Sequence, residues 1–278
     1  PSEKADQKPS PMRQTASIIA RFLQEARITG QLEHPAIIPV YELGRRKDGT
    51  LYYTMKLVRG KTLGQMLKER ANLDQRLELL GNFVDLCRAI AYAHGHGVIH
   101  RDIKPANVMI GDFGETVVLD WGLAKVRHAE DVNREEIEYT LHFLDVEGEE
   151  SLHKTAYGRA LGTPHYMPIE QAQGRLDAID ERSDVYSLGA VLYELLTGST
   201  PYTGDSTRAI LKKVIESRPE PVLKLCPDTP PELAVICEKA LQRDPENRYQ
   251  SAMDIAEEVQ RFITGSMVKA YKYSFQEI

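Results

Sequence analysis

Apolar residues along this chain recur mostly at helical spacing and alternate only in short stretches. Residues 1–14 are polar and interrupted by Pro9 and Pro11, which reads as a disordered lead-in. From Ser17 a helical period begins: Ile18, Phe22, Glu25 and Thr29 share one face, with Ile19, Leu23 and Ala26 beside them. The helix is expected to end near Gly30, just before His34-Pro35. Two strand-like runs follow, residues 37–43 and 51–58, and the turn-rich stretch 44–49 between them predicts a hairpin. Beyond Gly60 the helical period dominates, with helices expected near 62–70, 74–95, 181–197, 205–217, 230–242 and 250–264. A non-helical block, residues 98–175, separates the second of these from the third. No internal repeat is visible.

Composition narrows the function classes. The chain has 278 residues, 42% of them hydrophobic and 27% charged, as an ordinary globular protein does. Its formal net charge of −6 argues against a non-specific nucleic-acid binder or an anionic-membrane binder, both of which need a basic footprint. The three cysteines, Cys87, Cys226 and Cys237, form no close-spaced pair, so a disulfide framework and a thiolate zinc site are both disfavoured. A reducing, cytoplasmic compartment is the expectation. No apolar run approaches the ~18 residues of a membrane span, and no signal-peptide pattern opens the chain. A start at Pro1 rather than Met suits a fragment or a processed product.

The chemistry is concentrated in the block that begins at Val98. A polar loop carries Asp102, Lys104 and Asn107, and two short β runs follow, residues 108–110 and 116–119, joined by the turn 111–115. Asp120 ends the second run. Such a hairpin can gather two carboxylates, an ammonium and an amide oxygen at one spot. Asn107 and Asp120 offer oxygen ligands that suit Mg²⁺, Lys104 can neutralise phosphate charge, and Asp102 can accept a hydroxyl proton. Phosphoryl transfer needs these parts.

His100-Arg101-Asp102 with Lys104 and Asn107, followed by Asp120-Trp121-Gly122, resembles the catalytic loop and metal-binding motif of eukaryotic-like bacterial Ser/Thr protein kinases of the Hanks type. The literal Asp112-Phe113-Gly114 is a decoy, because it falls in the hairpin turn where it could not share a metal with Asn107. The resemblance covers residues 17–264. It implies an α+β, protein-kinase-like fold: a mainly helical C-lobe over 59–264 with an activation segment at 120–170, an incomplete small N-lobe at 15–58, and a tail at 265–278. Gly162-Thr163-Pro164 and Pro168-Ile169-Glu170 resemble the end of an activation segment, with the proline displaced from the family's usual Ala-Pro-Glu. The resemblance also implies a buried pair between Glu170 and Arg248, and an Asp184 that holds the catalytic-loop backbone. For Glu170, Asp184 and Arg248 a structural role is expected. Met55 and Leu57 resemble the hinge that binds adenine, and Met109 the floor of that pocket; core packing would explain the methionines equally well.

The small lobe departs from the family. Glu25 lies nine residues before His34-Pro35, as the family's helix glutamate does, and a carboxylate facing inward beside Phe22 wants a cationic partner. Yet the sequence holds no G-x-G-x-x-G and no Val-Ala-x-Lys strand before that helix. Lys8 stands near the right distance but not in a strand, and a plain surface pair of Glu25 with Arg21 is the competing reading. The hairpin edge and the helix bearing Ile18, Phe22 and Ala26 then predict a homodimer. His94, His96 and His100 mimic a metal cluster on paper, but glycines break the helix between them and His100 belongs to the catalytic motif.

Residues 126–160 hold nine acidic residues against four Lys/Arg, which makes the activation segment unusually long. A solvated loop is the plain reading. Thr140, Ser151 and Thr155 are candidate phosphosites there, and a phosphate on one could pair with Arg101 and order the segment.

The resemblance therefore implies an ATP- and Mg²⁺-dependent (or Mn²⁺-dependent) kinase acting on Ser/Thr hydroxyls of a protein substrate and on itself. Asp102 and Lys104 would be catalytic, Lys104, Asn107 and Asp120 would hold nucleotide and metal, and Arg101 and Thr163 would regulate. Two other readings stand beside it: a pseudokinase-like binding module without turnover, and a hydrolase or transferase that reuses the metal site on small phosphorylated compounds.

Overall fold

The structure, a computed structural model, describes residues 11–127, 129, 131–135, 137–138, 141 and 163–274, with side chains from residue 18 onward. Helix α1 (Pro11–Gln31) starts four residues inside the polar stretch expected to be a disordered lead-in. A proline at a first helical position loses no intrahelical bond and is already set at the helical φ, so Pro11 opens this helix instead of excluding it. Ala26 and Ile28 of α1 are buried, and Ile18 and Ile19 are exposed.

Strands β1 (Val40–Arg45) and β2 (Leu51–Met55) form the antiparallel hairpin, with Leu43 opposite Tyr53 and Gly44 opposite Tyr52. The turn is closed by the Arg46 N–H donating to the Thr50 carbonyl at 2.8 Å and by Asp48 accepting from the Thr50 N–H at 2.9 Å. The first strand begins later than the apolar run, because Pro39 has no N–H to give a ladder. Ile37 instead makes a parallel bridge to Val118, and the Val118 N–H donates to the Ala36 carbonyl at 2.7 Å. This short bridge ties the N-terminal unit to the site-bearing hairpin.

Strand β3 (Gly60–Thr62) leads into α2 (Leu63–Glu69), capped by a reciprocal box between Thr62 and Gln65. Gly60 sits at φ +138°, where a Cβ would lie 2.1 Å from the Ile110 carbonyl oxygen, so only glycine fits. Helices α3 (Leu73–Leu77) and α4 (Leu80–Gly95) replace the single helix expected over 74–95. The break serves Arg76, whose buried guanidinium donates to the carbonyls of Leu195 and Leu196 at 2.8 and 3.1 Å. Those carbonyls end another helix and have no partner within it. Strands β4 (Val98–Ile99), β5 (Val108–Gly111), β6 (Thr116–Val118) and β7 (Lys125–Val126) follow. β3, β5 and β6 form one sheet in that order, and β4 pairs with β7.

After α5 (Ile169–Ala172) comes the axis of the molecule, α6 (Glu181–Thr197), with thirteen of its seventeen residues buried. A helix apolar on every side belongs in a core. Gly189 lets it approach its neighbour closely, since a Cβ there would stand 2.8 Å from the Ala240 Cβ. Around it pack α3, α4, the short α8 (Val222–Leu225, which periodicity did not reveal), α9 (Pro231–Ala240) and α10 (Ala252–Ile263), while α7 (Thr207–Glu216) packs on α5. The tail folds back on α10, burying Val268 and donating the Ala270 N–H to Glu258 at 2.8 Å.

One buried ion pair locks α5 to this helical body. Arg248 donates to both oxygens of Glu170 at 2.8 and 2.9 Å, and Ser183 adds a hydroxyl bond at 2.7 Å. The other guanidinium hydrogens go to the carbonyls of Gln242, Arg182 and Arg243. Burial alone would raise the Glu170 carboxyl, but the Arg248 bonds override it and hold the group below its ordinary value. A depressed folded pKa stabilises the fold above the unfolded value of about 4.3, and that stability is lost as acid passes through the folded value. Arg248→Met should therefore cost about 3–5 kcal/mol at neutral pH, because it leaves a buried carboxylate unpaired. Urea denaturation at pH 7 and pH 4 checks this, with the gap to the wild type narrowing at the lower pH.

Candidate active site

The loop after β4 runs from His100 to the 3₁₀ turn Pro105–Asn107, and its shape depends on one carboxylate from α6. Asp184, fully buried in the first turn of that helix, accepts the His100 N–H at 2.8 Å and the Arg101 N–H at 2.9 Å. His94 on α4 donates Nε2–H to the same carboxylate at 2.8 Å. Burial would push this carboxyl up; the bonds from His94 and the loop amides prevail and hold it low. The pair of amide bonds secures Arg101 at φ +68°, a left-handed conformation that costs a non-glycine residue about 1–3 kcal/mol.

His100 then connects the loop to the strand that ends at Asp120. Its Nε2 bonds the Leu119 carbonyl at 3.3 Å, so Nε2 carries the proton and Nδ1 accepts the Asp102 N–H at 3.2 Å. The imidazole also packs on the Trp121 ring, with centroids 4.6 Å apart.

Asp102 is the focus of the polar contacts. Its Oδ2 accepts from Lys104 Nζ at 2.5 Å and from Asn107 Nδ2 at 3.1 Å, while Oδ1 accepts the Thr163 N–H at 3.1 Å. Lys104 also reaches the Thr163 hydroxyl at 2.8 Å. Asn107 spends its amide nitrogen on Asp102, side chain and carbonyl both, which leaves its carbonyl oxygen as a hard ligand. Leu119 N–H donates to the Asn107 carbonyl at 2.8 Å, so Asp120 follows directly at the open end of the hairpin, exposed and at φ +60°. Asp112 lies at the closed end, on the turn whose Phe113 is 98% exposed. Four residues of strand, about 13 Å, separate the two ends.

Glu25 receives the Tyr53 hydroxyl at 2.9 Å, and Tyr53 packs on Phe22 with ring centroids 4.9 Å apart. A Cβ on Gly122 would meet Glu25 Oε2 at 3.5 Å and Asp120 Oδ1 at 3.2 Å, so two carboxylates flank that glycine. Burial first and the Asp120 charge second raise the Glu25 carboxyl, against the lowering bond from Tyr53. Among the described residues the hydrogen-bond partner of Glu25 is thus a phenol, with the Arg21 charge a smaller lowering influence, and Lys8 lies outside the described residues. Gln24, one position away, donates to the Ala124 carbonyl at 2.6 Å and fastens α1 to the segment after Asp120.

Arg101 has a carboxylate partner that sequence reasoning missed: its buried guanidinium donates to Asp131 at 2.5 Å. Asp131 is one of nine acidic residues in its stretch, and no local pattern distinguishes it. Thr140, Ser151 and Thr155 lie outside the described residues. His96 turns away from His94 and His100, bonding the Tyr92 carbonyl at 2.9 Å, and no group of metal-ligating His, Cys, Asp and Glu forms among the described residues. At the hinge, Met55 and Leu57 are exposed and Met109 is half-buried on β5 opposite Thr62.

This arrangement of loop, hairpin and central helix is that of a protein kinase domain, whose family profile matches residues 4–261. The chain is 37% identical over 262 residues to the serine/threonine-protein kinase PknD of Protochlamydia amoebophila, covering 88% of this chain and 26% of that protein. It is 36% identical over 261 residues to the serine/threonine-protein kinase PknB of Mycolicibacterium smegmatis, covering 92% and 38%. The chain belongs to the protein kinase domain family, which generally uses ATP and a divalent metal. It spans between a quarter and two-fifths of the length of these relatives. No helix among the described residues is long and apolar enough to cross a membrane.

Asp184→Asn keeps the shape but turns one acceptor oxygen into a donor facing a buried N–H. It should cost about 1–3 kcal/mol, the penalty of an unsatisfied buried donor. Amide hydrogen exchange at His100 and Arg101 should speed up while the amides of α9 keep their protection.

Proposed function

We propose that this chain transfers the γ-phosphate of ATP to Ser/Thr hydroxyls of a protein substrate and of itself. The observation that carries the proposal is Asp102, an acceptor held between Lys104 and the Thr163 backbone beside an unspent amide oxygen on Asn107. The donor set fits a hard cation: one exposed carboxylate, Asp120, and one amide oxygen, with room for waters and phosphate oxygens. Mg²⁺ or Mn²⁺, when bound, would bridge and neutralise the phosphates. Asp102 orients the attacking hydroxyl and takes its proton, and Lys104 carries positive charge to the transferring group. Met55, Leu57 and Met109 would seat the adenine. The regulatory roles fall to Glu25, Arg101 and Thr163, and the structural ones to Glu170, Asp184 and Arg248. The three unbridged cysteines agree with a cytoplasmic setting.

One observation favours a second reading, a binding module without turnover: among the described residues Glu25 takes the Tyr53 hydroxyl and no ammonium. Intact mass after incubation with Mg-ATP separates the two, since only the enzyme gains 80 Da steps, the mass of each added phosphate.

Asp120→Asn should abolish phosphate incorporation, because it removes the charge that holds the metal. Asp112→Asn, at the far end of the hairpin, should leave incorporation within about twofold of wild type. Equal behaviour of the two variants would place the metal elsewhere.

The exposed Ile18, Ile19, Tyr41 and Leu43 support self-association as a C2 dimer through the α1–hairpin unit, although Ala26 of the expected face is buried. Light scattering on a sized peak should read twice the 31.4 kDa chain mass. A monodisperse monomer across the micromolar range would end that idea and leave the site assignment untouched.

A further inference from the structure

We infer that Asp131 is the resident anion of Arg101, a positioning residue that holds the catalytic loop in shape without a phosphate on the activation segment. The guanidinium of Arg101 is 1% exposed and the Asp131 carboxylate 8% exposed, and they meet at 2.5 Å. A buried guanidinium without a counter-charge is untenable, and no other carboxylate reaches this one among the described residues. Its Nε and Nη1 have no hydrogen-bond partner, so among the described residues Asp131 alone answers its charge.

The carboxylate is delivered by a built anchor. Its second oxygen accepts the Asn133 N–H at 3.1 Å, which fixes the turn that presents it. Asn133 and Ile137 just beyond are buried, and Ile137 belongs to the apolar cluster with Ile99 of β4, Met167 and Ile169. The segment after β7 is thus packed onto the strand that launches the catalytic loop. The Arg101 backbone is gripped from both sides, its N–H by Asp184 and its carbonyl by Gln171 Nε2 at 3.1 Å. With Asp131 on Nη2 of the side chain, Arg101 is held at its N–H, its carbonyl and its guanidinium, and the next residue is Asp102. A phosphate on Thr140, Ser151 or Thr155 would have to displace a carboxylate already seated on the arginine. Order in the catalytic loop therefore does not wait for phosphorylation.

The inference rests on the kinase reading for its effect on rate, so the test has one arm that needs no turnover. Wild-type chain is prepared free of phosphate, as verified by intact mass, and compared with Asp131→Asn. Amide exchange at His100 and Arg101 should rise at least tenfold in the variant, with the amides of α9 unchanged. With Mg-ATP and a Ser-bearing peptide, phosphate-free wild type should turn over. The variant should lose about tenfold or more in kcat with KM for ATP within about twofold, the split expected of lost positioning. If Asp131→Asn does not fold, Asp131→Glu against Asp131→Gln replaces it: the two differ in charge alone, and only Glu should protect the loop. Unchanged exchange on loss of the charge would overturn the inference. So would a phosphate-free wild type that is silent until the 140–155 region is phosphorylated. If wild type never turns over in either form, the kinase reading fails, and the exchange arm still decides whether Asp131 holds Arg101.

Discussion

The loop after β4 keeps its shape because one carboxylate, Asp184, is buried at the start of the central helix and takes two of its three donors from that loop. Two backbone N–H groups and one imidazole complete its shell. A buried carboxylate with three donors gives them up only at the full cost of desolvated charge, so the loop has no cheap alternative conformation. The left-handed turn at Arg101 is held by that constraint, and Asp102 points where it does because the turn precedes it. The helix is itself buried along most of its length, so the anchor inherits the rigidity of the core.

A second buried pair does for the end of the activation segment what Asp184 does for the catalytic loop. Glu170 and Arg248 are almost wholly shielded from water, and the arginine also gathers three carbonyls. Such pairs add little net stability over an apolar substitute, but breaking one is expensive, which favours a single arrangement over near neighbours. Thr163, seven residues before Glu170, meets Asp102 and Lys104 within hydrogen-bond reach. The two anchors thus help bring Thr163 and Asp102, 61 positions apart in the chain, within hydrogen-bond reach.

The N-terminal unit is joined by the Ile37–Val118 bridge, the Gln24 bond and the buried Ile28, Leu32 and Ile37, and it also brings a charge to the site. Glu25 and Asp120 flank Gly122, and the raised Glu25 carboxyl records the cost of holding two carboxylates close in a partly buried place. The Tyr53 hydroxyl offsets part of that cost. The cation proposed at Asp120 would offset more, and its binding would then be coupled to α1 by plain electrostatics.

Much of this was legible in the amino-acid order. Helical periodicity located α6 at its observed bounds, and the spacing among Asp102, Lys104, Asn107 and Asp120 located one hairpin's worth of chemistry. Those signals are local: a helical face, a turn or a two-stranded ladder is set by residues within a few positions of one another. The sequence also separated Asp120 from the decoy Asp112, because hairpin geometry puts them at opposite ends. Only the tertiary structure decided the partners of the isolated charges. Glu25 is matched by a phenol 28 positions away, Arg101 by a carboxylate 30 positions away, and the helix break before α4 answers Arg76 and carbonyls some 120 positions on. Nothing in the acidic stretch distinguishes Asp131, whose carboxylate is shielded from water, because charge type is written in the sequence whereas burial, which gives a charge its energy, is a property of the packed chain.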